Sequence, residues 1–362
     1  MTEGWIKGEG FPHTAGEHCE STTLRDHLSH LGFSYSEPMI FGLDATMGFS
    51  FWGLEGGFPL GGKQSSFNEN SLACRLLGII PEKKLFNRSR EAWQDAKSLL
   101  DQNLPLILQV DMGYLPYFMT PGEEPFHFGG HLVSLIGYHK ERSLTLLCDN
   151  NFEEPVEVPL ENLKKARSSR EGTKFLWPHN IRYTLTRRPD GKRPPLGAGA
   201  KLAIQEVVKN MLAPSISQNG IQGLKRFVSS IGEWRTSFAD KMEQGFFYLK
   251  NVYGYIEEYG TGGALFRKMY CDFLQELVEL PELQEGSHAW SGEDIQLLKS
   301  SLPSLRQSAA VWSEFALNIK EGIESEGKTL IAALDCDKLQ HLGKEILRFE
   351  KSFWHSLKAL KL

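Results

Sequence analysis

Three residues of this chain have the types and settings that acyl transfer requires. Cys19 lies in GEHCESTTLRDHLSHLG (16–32), His131 in GGHLVSLIGYH (129–139) and Asp149 in SLTLLCDNN (143–151). A thiolate attacks an acyl carbon, a base takes the thiol proton and returns it to the leaving group, and a carboxylate fixes the tautomer of the base. Cys19 is flanked by Glu17, His18, Glu20 and Ser21, a polar setting that does not suit a core thiol. Four other cysteines, Cys74, Cys148, Cys271 and Cys336, read as core residues. Their wide spacing and the lack of a CxxC pair argue against a zinc ribbon or a disulfide scaffold.

The elements that position these residues follow from the apolar pattern. Leu24, Leu28 and Leu31 share one helical face and Gly32 is a good terminator, so a helix starts near Cys19. The positive end of the helix dipole there favours the anionic nucleophile. HLVSLIGYH (131–139) and SLTLLCD (143–149), joined by His139-Lys140-Glu141-Arg142, form a hairpin pattern. The start of the first strand then lies beside the end of the second, which makes His131 and Asp149 neighbours. Asn150 and Asn151 replace Asp149 if the register differs. Gly129 and Gly130 leave room for a substrate before His131. PLILQVD (105–111) after the helical EAWQDAKSLLDQ (91–102), and NIRYTLTRR (180–188), supply further strands. Helices followed by an antiparallel sheet indicate an α+β first domain over residues 1–190.

RPDGKRPPLGAGA (188–200) reads as a linker, placed at 191–200. Beyond it Phe227, Ile231, Trp234 and Phe238 recur at helical spacing, as do Leu265, Met269, Phe273 and Leu277, then Leu347, Phe353 and Leu357. An all-α domain is expected over 201–362.

Composition narrows the function classes. The chain has 362 residues, 41% hydrophobic and 23% charged, with a formal net charge of −5. That charge argues against nucleic acid as a partner. No apolar run reaches the roughly 18 residues of a membrane-spanning helix. MTEGWIKGEGFPH lacks a signal-peptide pattern, so a cytoplasmic location is expected. Residues 161–195 hold ten Lys or Arg against three Asp or Glu, a basic island suited to a small acidic partner. GLDATMGFSFWGLEGG (42–57) combines aromatics with Asp44 and Glu55, candidates to receive a cationic amine. His127 precedes His131 by four, but Pro125 and the glycines do not favour the helix that a metal pair would need, so no metal is expected. Tyr259-Gly-Thr-Gly-Gly lacks the Lys-Ser/Thr of a phosphate loop and reads as a turn, so no nucleotide cofactor is expected.

A cysteine opening the first helix, a Gly-His beginning a strand and an Asp ending the next resemble the papain-like superfamily, and within it the bacteriocin-leader peptidases. Those peptidases place an oxyanion-donating glutamine six residues before the cysteine. Here that position is His13, whose N–H could donate, as could the Cys19 backbone N–H. HCESTTLRDHLSHLG, MIFGLDATMGFSFW (39–52) and GGHLVSLIGY together resemble the N-terminal domain of the butirosin-biosynthesis acyltransferase family. YGTGGALFRKMYCDFLQE (259–276) resembles the helical domain often fused to it. The resemblance implies an acyltransferase of secondary metabolism. It would carry an acyl or aminoacyl group from an acyl carrier protein or CoA thioester, through a Cys19 acyl-enzyme, to an amine acceptor, without a cofactor. Arg187 and Arg188 in the basic island are then candidates for docking the carrier. A cysteine peptidase or amidase using the same triad is the alternative reading, and a non-catalytic binding protein on this fold is a third.

Overall fold

The structure, a computed structural model, describes residues 4–8, 10–54, 58–284 and 289–360. It divides into two compact units, one of residues 1–40 and 67–193, the other of 41–66 and 194–362. The strands are β1 (Trp5–Lys7), β2 (Met47–Phe51), β3 (Leu60–Lys63), β4 (Ile79–Lys84), β5 (Leu106–Val110), β6 (His131–His139), β7 (Leu144–Cys148), β8 (Val156–Pro159) and β9 (Arg182–Arg187). The helices of the first 170 residues are α1 (Cys19–His30), α2 (Glu37–Leu43), α3 (Leu72–Leu76), α4 (Ser89–Leu100) and α5 (Leu160–Ser168).

The first unit is built on an antiparallel sheet of order β4-β9-β5-β6-β7-β8, with β1 paired to the far end of β6. Side chains alternate across a strand. Leu106, Leu108 and Val110 of β5 therefore share a face with Val133 and Leu135 of β6 and Leu147 of β7. On that face they meet Ala96 and Leu100 of α4 and Leu163 and Ala166 of α5. α1 packs against β6 as well, its Leu24 and Leu28 buried. All nine residues of β6 are buried, as a strand with both faces covered requires. The α+β class expected from the sequence is what the chain adopts, with helices dominating the C-terminal region.

The second unit joins the β2-β3 hairpin to a set of helices, the longest being Leu196–Leu212, Met242–Glu257, Gly292–Glu326 and Cys336–Leu357. At its centre Arg267 and Glu350 are both fully buried. Arg267 Nε donates to Glu350 Oε1 at 2.7 Å, and Arg267 Nη1 donates to the carbonyls of Leu265 at 2.8 Å and Gly48 of β2 at 3.2 Å. Glu350 also accepts from Ser308 Oγ at 3.1 Å and from Trp354 Nε1 at 2.7 Å. Burial opposes its charge, but the Arg267 guanidinium outweighs that and holds the carboxyl below the usual range.

The Gly-Thr-Gly-Gly turn serves this pair. Gly262 and Gly263 have φ of 63° and 80°, and Ala264, Leu265 and Phe266 follow with φ of 50°, 53° and 70°. Left-handed backbone costs an ordinary residue roughly 1–2 kcal/mol, so three in succession are held only by tight surroundings. Leu265 and Phe266 are buried, and a Cβ on Gly62 of β3 would fall 2.6 Å from Leu265. The turn thus aims Arg267 inward.

Arg267→Ala leaves the Glu350 carboxylate buried without its cation. Breaking such a pair costs about 3–5 kcal/mol. The loss is expected in the unfolding free energy from urea titration, and a change below about 1 kcal/mol would exclude this role for the pair.

Candidate active site

α1 begins at Cys19 without help from a side chain of His18. The loop before it is fixed from elsewhere. Glu37 of α2, itself buried, accepts the backbone N–H of Glu17 at 2.9 Å and of His18 at 2.8 Å, and the hydroxyl of Ser21 at 2.8 Å. A Cβ on Gly16 would fall 2.1 Å from Thr22 Oγ1 and 2.5 Å from Glu37 Oε2, so only glycine fits there. The Gly16 N–H donates to the carbonyl of Asn150 at 2.9 Å, which ties this loop to the end of β7. Cys19 consequently has a set position, half-buried at the first turn of the helix.

The register of the hairpin decides what faces it. Ser134 pairs with Cys148 in the β6-β7 ladder. One step further puts Asp149 opposite Val133, so Asp149 and His131 project from the same face. His131 Nε2 meets Asp149 Oδ2 at 2.7 Å, with 4% and 0% of the residues exposed. The carboxylate accepts, so Nε2 carries the hydrogen and Nδ1 is the nitrogen not engaged by Asp149, while Cys19 interacts electrostatically with the imidazole. Burial works against a charge on His131. The facing Asp149 carboxylate, and then Cys19, outweigh it and push the imidazole up to about 10. Burial likewise opposes the charge of Asp149, but His131 and Tyr117 hold the carboxyl below its usual range.

No local sequence pattern singles out Tyr117. Its hydroxyl donates to Asp149 Oδ2 at 2.9 Å, and Phe118 next to it sets its ring edge-on to His131 at 5.5 Å. Asn151 contributes its N–H to Asp149 Oδ1 at 3.3 Å. Asn151 therefore supports the aspartate, Asn150 bonds Gly16, and neither replaces it. The only hint of Tyr117 was the aromatic run Tyr114-Leu-Pro-Tyr-Phe118 after β5.

His13 is engaged at both ring nitrogens. Nε2 donates to the Phe152 carbonyl at 2.9 Å, and Nδ1 meets Asp26 Oδ2 of α1 at 2.6 Å. That leaves no N–H to offer an oxyanion. His13 instead pins its loop to α1 and to the turn after β7. Nor do Gly129 and Gly130 open a path to His131. Cβ atoms there would fall 2.5 Å from the Leu176 carbonyl oxygen and 2.9 Å from the Phe128 ring, so the glycines permit close packing.

His127 pairs with the fully buried Asp111 at 2.8 Å, and Ser169 donates to the same carboxylate oxygen. Among the described residues no group of three His, Cys, Asp or Glu side chains is placed to hold a metal. Asp44 is half-buried in the second unit, and Glu55 lies outside the described residues. Arg187 and Arg188 stand exposed at the end of β9, beyond the first unit's core.

Comparison with known families follows this division only in part. Residues 18–150 match the family model of butirosin biosynthesis protein H, N-terminal, and residues 161–357 match a domain of unknown function, DUF4872. The first match spans Cys19, His131 and Asp149. The second begins within α5 of the first unit. No curated protein matches the chain.

Of the five thiols, Cys74, Cys148 and Cys271 are buried. Burial pushes Cys148 well above the usual range, Cys271 up to about 12, and the half-buried Cys336 upward. Cys19 is half-buried at the start of α1 and interacts electrostatically with the His131 imidazole. Alkylation at mildly acidic pH followed by peptide mapping is expected to label Cys19 first. Faster labelling of Cys336 would remove Cys19 from its role.

Proposed function

We propose, for a chain that belongs to the DUF4872 family and carries a butirosin biosynthesis protein H N-terminal region ahead of that domain, a cysteine-dependent acyltransferase of secondary metabolism. The observation that carries this reading is the buried His131–Asp149 pair, closed on its far side by Tyr117, with Cys19 at the start of α1 interacting electrostatically with the imidazole. A thiol at the start of a helix, an imidazole on the central strand and a carboxylate on the neighbouring strand support assignment of the first unit to the papain-like class.

In this mechanism Cys19 Sγ, its proton held by His131, attacks the carbonyl of an acyl thioester on a carrier protein or CoA. The carbon–sulfur bond to the donor breaks as the bond to Cys19 forms, and His131 returns the proton to the departing thiol. One thioester replaces another, so no external energy source is needed. An amine then attacks the acyl-enzyme and gives its proton to His131; the carbon–Sγ bond breaks as the carbon–nitrogen bond forms, the amide leaves, and Cys19 is restored as the thiolate beside the protonated His131. Asp149 keeps Nε2–H directed at itself and Nδ1 toward the sulfur throughout. The backbone N–H of Cys19, at the first helical position where helix N–H groups lack an internal partner, serves as an oxyanion donor. Asp44 and Glu55 remain the proposed acidic groups for a cationic amine.

The direct test is intact-mass and product analysis of the purified protein with an acyl thioester, with and without a panel of polyamines, aminoglycosides and amino acids. An acyl adduct on Cys19 and an amide product are expected. Donor consumption to free acid alone, with peptides cut, would make the protein a hydrolase. His131→Ala is expected to slow acyl-enzyme formation by about 10²–10⁴-fold with the circular dichroism spectrum preserved. Unfolding of that variant would mean that the imidazole is structural.

Charge on His131 also sets a pH dependence. The imidazolium persists until the pH approaches about 10, so single-turnover acylation is expected to fall on the alkaline side near there. Asp149→Asn removes the carboxylate that sustains the charge and leaves burial, which lowers it, in command. The alkaline limb should then move to lower pH. An unmoved limb would separate Asp149 from the titration of His131.

A further inference from the structure

At the opposite end of α1 from Cys19 lies a cavity of about 390 Å³ whose wall includes Phe33, Tyr35, Arg187, Arg188 and Arg193 and no acidic residue. Its position follows from the fold: Gly32 closes α1, β9 ends beside it, and the chain after β9 turns back past Gly78. α1 has 12 residues. At the ordinary helical rise, that puts about 18 Å between Cys19 and this cavity.

The three arginines are not equivalent. Arg188 is bidentate to Asp190, with both contacts at 3.1 Å, and so is neutralised locally. Arg187 and Arg193 have no carboxylate partner among the described residues. Both guanidiniums nevertheless converge on one ring, 5.1 Å and 5.7 Å from the centre of Phe33. Like charges gathered at one cavity repel unless an anion enters between them. Arg187 donates one Nη2 hydrogen to the Leu31 carbonyl, which orients it and leaves most of its five donors unspent. Phe33 and Tyr35 lie nearly parallel, 21° apart with centres 6.4 Å from each other. The wall thus combines aromatic surface with two planar cations that have no carboxylate partner among the described residues. That is the chemistry of a phosphate ester site, where guanidinium forks match phosphate oxygens.

We propose that this cavity binds the phosphate group of an organic phosphate ester through Arg187 and Arg193. Two sources share that chemistry: soluble CoA, and the phosphopantetheine of a carrier protein. The choice of these sources rests on the thioester reading of Cys19; the anion site itself does not. The assignment also sharpens the carrier-docking expectation, since Arg193 replaces Arg188 as the partner of Arg187.

The test is calorimetric titration of the full chain at low salt with CoA, holo carrier protein, apo carrier protein and inorganic phosphate. Saturable binding of CoA, or of holo but not apo carrier, is expected, and each outcome identifies its source. Arg193→Ala, whose side chain has no hydrogen-bond partner among the described residues, is expected to weaken that binding about tenfold or more, and Arg187→Ala likewise. Lys174→Ala removes the same charge outside the cavity and is expected to leave the affinity in place. Thermal melts separate lost binding from lost fold, and Arg187→Lys keeps the charge if Arg187→Ala does not fold. Binding of inorganic phosphate alone, equal affinity in Arg193→Ala, or an equal loss in Lys174→Ala would overturn the proposal. Cys19→Ser is expected to bind as the parent does. If binding persists while no acyl adduct forms on the parent, the cavity stands and the acyltransferase reading falls. If the adduct forms and binding is absent, the reverse holds.

Discussion

A carboxylate without access to water must be supplied with proton donors by the protein, and much of the first unit is arranged around that demand at Asp149. An isolated ion in a low-dielectric interior is costly, and the usual resolution is to neutralise it or surround it with donors. Here three groups converge on it: His131 across the hairpin, Tyr117 from the segment after β5, and the N–H of Asn151 in its own turn. Each contact constrains a different stretch of chain. The imidazole can turn in only one way, the aromatic segment 114–118 is drawn over the end of the sheet, and the turn after β7 closes tightly. The same contact that removes the cost of burying Asp149 prepares His131 as a base. Structure and chemistry are therefore satisfied by one arrangement.

The position of the nucleophile is settled by a second set of contacts, made to the loop before α1 and not to Cys19 itself. Glu37 binds two successive N–H groups and Ser21, His13 reaches both Asp26 and the Phe152 carbonyl, and Gly16 is joined to Asn150. α1 is thus held at its start by a carboxylate and at its end by the Arg187 guanidinium on the Leu31 carbonyl. Both charges have the sign that complements the helix dipole. A helix held at both ends cannot slide along β6, so the separation of thiol and imidazole is a property of the scaffold. Preorganisation of that kind is what proximity catalysis requires.

What the sequence disclosed, and what it did not, divides along the range of the interactions. The hairpin joining His131 to Asp149 was legible because both strands carry short apolar runs around a four-residue turn, and period-two alternation then fixes the shared face. The start of α1 was legible from Leu24, Leu28, Leu31 and Gly32. Strands β4 and β8 were not. Ile79–Lys84 and Val156–Pro159 are short, half-exposed and carry Pro or charged residues, so they hold together by pairing with β9 and β7 and not by propensity. Tyr117, Glu37 and the engagement of both His13 nitrogens depend on residues far apart in sequence, and no local pattern signals them. The packing of residues 41–66 with the later helices has the same origin: Arg267 reaches the carbonyl of Gly48 219 positions away, and a Cβ on Gly42 would strike the ring of Phe273.

Two buried charge pairs of the same form, one in each unit, therefore have different consequences. A guanidinium has no neutral form at ordinary pH, so the pairing with Glu350 is permanent once the second unit folds. Its effect is architectural, and the three left-handed residues of the 264–266 turn are the strain it holds in place. His131 can lose its proton, so its pairing with Asp149 is a titratable state. Below the ordinary histidine value of 6.5 the raised group contributes its full stabilisation, which is lost as the pH rises through about 10. Asp149, depressed, contributes above the ordinary carboxylate value of 3.8 and loses that contribution as the pH falls. Between these limits the first unit gains stability from the charge separation that its chemistry uses. An imidazolium so firmly held is a weak acid toward a departing thiol, and the neutral imidazole left once the proton has gone is a strong base toward a new nucleophile. Release of the donor thiol is then the demanding step, and the second half of the reaction is decided by the nucleophile that reaches the acyl-enzyme. It favours an acceptor that arrives as a neutral amine, which is far more nucleophilic than water and can be deprotonated as its bond to the acyl carbon forms. On these grounds the pairing at Asp149 bears on the choice between amide formation and hydrolysis as well as on the geometry of the site.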